Sequence, residues 1–233
     1  MKIDIWSDIR CPFCYVGKKK LEKAMEQFPH ADKVELVWHS FQLDPQLKTQ
    51  PERDPFEFFS EIKGISESQA KLMHQHAYNA GKEAGIDFNF EQQKIANSFK
   101  GHLLIQLAKE KNLANEMEEA LFSAQFIEAK NIDDEATLIE IGEKVGLTEE
   151  EVQNALKSDD LAYKVKQDMN TAGNLGINSV PFFVFNDKYA ISGAQQPPVF
   201  LEVLAKSWKE FSAGDNGLQI IEGDSCDADG NCN

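Results

Sequence analysis

Residues 2–28 read KIDIWSDIRCPFCYVGKKKLEKAMEQF. Alternation over Lys2–Ser7 puts Ile3 and Ile5 on one face, the pattern of a short strand. From residue 12 the period changes. Cys14, Gly17, Leu21, Met25 and Phe28 fall on one helical stripe, with Lys18–Lys20 mostly outside it. Pro12 suits a first helical position, where its missing N–H is no loss. Cys11 therefore stands at a helix N-terminus, directly after a strand, with Cys14 one turn inside. Val34–Phe41 then carries apolar residues on both faces and reads as a central strand buried on both sides. Strand, helix and strand within about forty residues make a βαβ unit.

From residue 44 the pattern shifts. Pro45, Pro51 and Pro55 interrupt regular structure, and nearly everything to residue 176 reads as helix. Ser66 with Gln69, and Thr148 with Glu151, have capping-box spacing. Apolar stripes run through Phe99, Leu103 and Leu107; Met117, Ala120, Leu121 and Ala124; Leu138, Ile141 and Val145; and Leu161, Val165, Met169 and Ala172. Met73, His76, Ala77 and Ala80 read as another core stripe, and Ile86–Phe90 as a short extended piece. Strand character returns at Phe182–Phe185, with a turn signal at Asn186-Asp187-Lys188 and a partner strand at Tyr189–Ser192. Pro197-Pro198 opens a last helix to about Phe211. This order predicts an α/β chain, a thioredoxin fold with an inserted all-helical domain. The split core takes residues 1–43 and 172–212, and the helical insertion takes 44–171. A flexible tail takes 213–233 and carries Cys226 and Cys232.

The chain has 233 residues, 42% hydrophobic, enough for a substantial core. Its 24 basic and 39 acidic side chains give a formal net charge of −15. That balance repels phosphate backbones and anionic lipid, which argues against nucleic acid and membrane surfaces as partners. Read from Met1, the chain lacks the apolar stretch of a secretory signal, and a cytoplasmic location is expected. Nothing in the sequence fixes an oligomeric state. Disulfides are rare in the cytosol, so the four cysteines read as catalytic, redox-sensing or metal-binding.

A thiolate, not a thiol, attacks a disulfide. The unpaired N–H groups and dipole of a helix N-terminus favour negative charge, and Arg10 adds a positive charge beside Cys11. Cys11 is thus expected to be the attacking thiol and Cys14, facing the core, the resolving one. The Pro-Phe dipeptide and Arg10 point to the oxidising half of the known potential range. The competing reading of Cys-x-x-Cys is half a zinc site. His74 and His76 point to different sides of a helix, which leaves only Cys226 and Cys232 as a second pair. Metal binding is therefore not expected. Val180-Pro181 precedes an apolar strand at the place where a thioredoxin fold keeps a cis-proline against its dithiol. Val180 would offer its backbone to an extended substrate as an added strand.

Ser7-Asp8-x-x-Cys11-Pro12-Phe13-Cys14-Tyr15-Val16-Gly17, Phe41-Gln42-Leu43-Asp44-Pro45, Asn97-Ser98 with His102, Val180-Pro181-Phe182-Phe183-Val184-Phe185 and Tyr189–Gln195 occur in order. Together they resemble the DsbA-like thioredoxin-fold family, in particular its FrnE-like cytoplasmic branch. The resemblance implies a Cys-x-x-Cys redox centre, a cis-proline, and oxidase or isomerase activity on protein dithiols. It needs no cofactor beyond the redox-active disulfide, with glutathione as a small co-substrate. Kappa-class glutathione transferases and 2-hydroxychromene-2-carboxylate isomerases share the fold. They typically have serine at the first cysteine position, where this chain has Cys11. Members of the branch can carry a further C-terminal cysteine pair, which Cys226 and Cys232 resemble.

Several residues carry two readings each. Asp8 either accepts a proton during resolution or caps its loop. His102 is either a hydrogen-bonded structural histidine or a catalytic or glutathione contact. Pro12, Phe13 and Val180 are read as substrate-contacting, with Trp6 and Phe13 also suited to core or groove wall. His39 reads as a buried, hydrogen-bonded histidine. Cys226 and Cys232 read as an auxiliary redox pair, an inert tail disulfide, or metal ligands.

Overall fold

A computed structural model describes residues 1–213, 219–222 and 226–227. Cys232 lies outside the described residues. In chain order the elements are β1 (Lys2–Ser7), α1 (Pro12–Met25), β2 (Glu35–Ser40), α2 (Pro55–Lys63), α3 (Glu67–Glu83), α4 (Phe99–Glu110), α5 (Ala114–Phe126), α6 (Glu135–Lys144), α7 (Glu149–Ala155), α8 (Asp159–Asn174), β3 (Ser179–Val180), β4 (Phe182–Phe185), β5 (Tyr189–Ser192), α9 (Pro197–Ala213), β6 (Gln219–Glu222) and β7 (Cys226–Asp227). They form two compact units, Met1–Leu43 with Asp168–Asn233, and Asp44–Gln167.

The first unit is built on a sheet of order β2-β1-β4-β5-β6. Strand β1 runs parallel to β2, with Ile5 opposite Trp38, and antiparallel to β4, with Ile5 opposite Phe183. Strands β4 and β5 form the expected hairpin, closing with Phe185 opposite Tyr189. Asn186 and Asp187 both take positive φ, 51° and 56°. Asn and Asp tolerate that conformation better than other non-glycine residues. Helices α1 and α9 pack on each other, and α9 packs on β4 and β5. Phe183 meets Phe200 edge-on at 4.9 Å, and Phe28 meets Trp208 at 6.1 Å.

Strand β2 lies at the sheet edge rather than its centre. An apolar run on both faces reports that both faces are covered; it says nothing about neighbours along the hydrogen-bonding edges. Edge position also exposes Glu35 and leaves Leu36 and Val37 half-buried. Lys18 and Lys20 are buried as well. Lys18 pairs with Glu22, and the Lys20 ammonium donates to the Ala194 carbonyl at 3.3 Å. Buried ammonium groups need such partners.

The second boundary falls at Asp168, not at residue 172, because Asp168 is bonded into the first unit. Its Oδ1 lies 2.8 Å from His39 Nδ1, and its Oδ2 accepts from the Ser40 backbone N–H at 2.9 Å. His39 Nε2 lies 2.8 Å from Asp4 Oδ1, and Trp6 stacks on the imidazole at 4.4 Å. Part of the expected flexible tail is strand: β6 extends the sheet parallel to β5.

The helical unit follows the predicted stripes. Leu103, Ala155, Leu161 and Val165 form one buried cluster joining α4, α7 and α8. Both capping boxes are present, Ser66 with Gln69 and Thr148 with Glu151. The inward face of α3 is Ala70, His74, Ala77 and Gly81, whereas His76 is exposed. His74 sits against Phe56, Phe59 and Phe90, and its Nδ1 lies 2.8 Å from the Ala70 carbonyl. Burial holds its imidazole below its ordinary range. Residues 86–90 form no strand; Asn89 instead donates its N–H to Phe126 O at 2.7 Å.

Candidate redox site

The turn between β1 and α1 is fixed by Asp8. Its main-chain carbonyl accepts from Cys11 N–H at 2.9 Å. Its carboxylate accepts from Arg10 N–H at 3.1 Å and from Leu43 N–H at 2.8 Å. Asp8 is fully buried and ties this turn to the chain after β2. These bonds are those of a loop cap. Cys11 is the N-cap of α1, with extended φ −90° and ψ 112°, and Pro12 opens the helix. The Cys14 N–H closes the first turn on Cys11 O at 3.0 Å.

Both cysteines are free thiols. Cys11 is 0% exposed and Cys14 1%. Burial pushes the Cys14 thiol well above the ordinary value of 9.0; neighbouring Cys11 adds to this, while the Asp8 backbone and Ser7 oppose it. Cys14 is therefore held as the neutral thiol. The Cys11 thiol donates to the Val180 carbonyl at 3.6 Å. The Val180-Pro181 peptide is cis. Helix α1 approaches this peptide at Gly17, where a β-carbon would lie 3.0 Å from Pro181 Cγ. Cys11, Cys14, Val180 and Pro181 thus converge from two ends of the chain.

Pro12 is half-buried, and Phe13, only 2% exposed, serves as core. His102 is fully buried in α4 of the helical unit. Cys226 is the β7 residue opposite Val180. Ser7 and Gly17 were noted in the sequence only as motif members, and Gly17 also in the helical stripe; the close approach of Gly17 to Pro181 was not foreseen. Among the described residues no cluster of His, Cys, Asp and Glu has a metal-holding arrangement, and no helix is long and apolar enough to cross a membrane.

Residues 2–205 match the DSBA-like thioredoxin domain family. A crystal structure of a probable DsbA oxidoreductase from Streptomyces coelicolor superposes with a TM-score of 0.84 at 33% identity, covering 100% of this chain and 98% of that one. The uncharacterised protein YwbO of Bacillus subtilis is 28% identical over 214 residues, 89% of this chain and 98% of its own. A 2-hydroxychromene-2-carboxylate isomerase shares the fold with a TM-score of 0.68 at 15% identity, covering 93% of this chain and 100% of that one. The chain belongs to the DSBA-like thioredoxin domain family.

Proposed function

We propose that this DSBA-like protein is a cytosolic thiol–disulfide oxidoreductase acting on protein dithiols and disulfides through Cys11 and Cys14. The observation that carries the reading is the Cys11 N-cap, whose thiol meets the Val180 carbonyl at 3.6 Å while Cys14 is buried one turn behind it. Reduction of a client starts with attack of the Cys11 thiolate on one sulfur of the client disulfide. A Cys11–client bond forms, the client S–S bond breaks, and the departing sulfur leaves as thiolate. Cys14, on losing its proton, attacks Cys11 Sγ. The mixed disulfide breaks, the second client thiolate leaves, and Cys11–Cys14 is oxidised as the client gains two electrons. Oxidation of a client dithiol is the same sequence reversed. A cost of ionising buried Cys14 favours a long-lived mixed disulfide, which gives a client time to exchange. After client reduction two glutathione thiols reduce the Cys11–Cys14 disulfide and leave as glutathione disulfide; after client oxidation glutathione disulfide takes the two electrons from the Cys11–Cys14 dithiol and leaves as two glutathione thiols.

The test is a Cys14→Ser variant expressed in cells and purified under acid quench. Protein clients disulfide-linked to Cys11 are the expected catch. Saturable glutathione binding together with full activity of Cys14→Ser would replace this reading with a glutathione-dependent isomerase or transferase.

A further inference from the structure

Two features of the Cys11 edge have no role in the reaction proposed above. Cys11 and Val180 are each 0% exposed, although a client sulfur must reach Cys11 for exchange. And β3, the strand a client would pair with, already has a partner. Strand β7 lies antiparallel to it, with Cys226 opposite Val180 and Asp227 opposite Ser179.

The route of the chain explains how β7 comes to that place. Strand β6 runs parallel to β5 and ends with Glu222 opposite Ser192. Ser192 pairs with Phe182, the residue after Pro181, and the Gly193 N–H donates to Pro181 O at 2.8 Å. Strand β6 thus delivers the chain to the end of the sheet that bears the cis-proline. Four Cα steps separate Glu222 from Cys226, a reach of at most about 14 Å.

We propose that residues 226–227 hold the position an extended client takes on Ser179–Val180, so that the protein's own C-terminal segment competes with clients for Cys11. The inference rests on the reading of Cys11–Cys14 as a client dithiol site. It also specifies the client. The occupant is a short antiparallel strand with a cysteine opposite Val180 and an acidic residue opposite Ser179. Main-chain pairing of this kind tolerates varied side chains and fixes the register. A segment tethered this closely acts at an effective concentration on the order of millimolar. Clients reach Cys11 by displacing it, and weak or misregistered peptides are excluded.

The test uses the full chain, reduced, in three forms: parent, Cys226→Ser, and a double Cys226→Pro, Asp227→Pro variant. Proline removes the donor a strand ladder needs at either register. Iodoacetamide modification of Cys11 is followed by peptide mass spectrometry, beside turnover of a disulfide peptide. At least fivefold faster Cys11 modification in the double-proline variant, with a lower KM, is expected. Cys226→Ser, which keeps the strand, should stay within twofold of the parent. Equal Cys11 rates in parent and double-proline variant would overturn the proposal. So would the full acceleration from Cys226→Ser alone, which would assign the cover to a sulfur rather than a strand. Faster modification without disulfide turnover in any form would keep the strand's role and sink the dithiol function.

Discussion

Gly17 faces Pro181 with no room between them for a side chain. A β-carbon on Gly17 would lie 3.0 Å from Pro181 Cγ and 3.1 Å from Phe183 Cζ. Both neighbours are rings with little freedom to retreat, and Phe183 is fully buried in β4. The missing side chain lets the helix that carries both cysteines lie against the Val180-Pro181 segment. That contact brings the Cys11 thiol to the Val180 carbonyl at 3.6 Å.

Adding bulk at Gly17 should separate the two halves of the site. Gly17→Ala gains up to about 1 kcal/mol of helix propensity but overpacks a core contact, at a cost of about 1–3 kcal/mol. A net loss near 1 kcal/mol is expected, and a loss of about 3 kcal/mol for Gly17→Val. Urea midpoints measure the stability, and insulin-disulfide turnover should fall further than stability does. A Gly17→Val protein with parental midpoint and turnover would remove the contact from the argument.

The environment of Cys14 predicts its reactivity. Burial is the largest cause of its raised position, ahead of Cys11, so the effect should survive Cys11→Ser. In that variant the iodoacetamide rate at Cys14 should remain low through pH 9 and rise only above it, because alkylation follows the thiolate fraction. Half-maximal reactivity at or below pH 8.5 would contradict the burial account.

How much of this was legible in the sequence depended on what periodicity encodes. The strand at Ile3 and Ile5, the stripe through Cys14 and Leu21, and the hairpin at Asn186-Asp187 were readable because local pattern reports which face is covered. Pro181 was readable as the partner of Cys11 only through fold order. The edge position of Glu35–Ser40 was not readable, since pairing partners leave no mark on alternation. Lys18 and Lys20 break the polarity rule because each finds a partner, Lys18 in Glu22 one turn along its own helix and Lys20 by tertiary contact with the Ala194 carbonyl. The domain boundary at Asp168 escaped for the same reason: an aspartate in a helix pattern gives no sign of the distant His39 that it bonds. The strand at Cys226–Asp227 has too few residues to show a period.

In the helical unit, the Thr148 capping box predicts a measurable cost. Its hydroxyl accepts from Glu151 N–H at 3.2 Å, and Glu151 Oε2 accepts from Thr148 N–H at 2.8 Å. Thr148→Ala should lower stability by about 1 kcal/mol in urea titration. Lys111 and the Thr148 backbone hold Glu151 down at about 2, from an ordinary 4.5. The sign follows: its contribution is present above pH 4.5 and is lost as pH falls toward 2. Glu151→Gln should flatten that part of the acid-unfolding curve. An unchanged curve would show that the pairing with Lys111 is not maintained in solution.

His39 makes the last prediction, because it separates two carboxylates. Asp4 and Asp168 each stand 2.8 Å from one of its ring nitrogens. Each ring nitrogen thus faces a carboxylate, and the imidazole bridges the two acids. Although burial opposes it, hydrogen bonding to His39 and Lys2 holds Asp4 below its ordinary 3.8. The Asp4 contribution is therefore complete above pH 3.8 and is lost as pH falls below it. His39→Leu leaves two largely buried carboxylates facing an apolar group, and removing one partner from such a set costs about 3 kcal/mol. His39→Gln keeps one donor and should lose less. The order parent, Gln, Leu in urea midpoint at pH 7 is the expected result. For the leucine variant the loss should shrink as pH is lowered toward 3.5, because Asp4 can then neutralise by taking up a proton. A loss that is constant with pH would mean that His39 acts by packing against Trp6 rather than by charge.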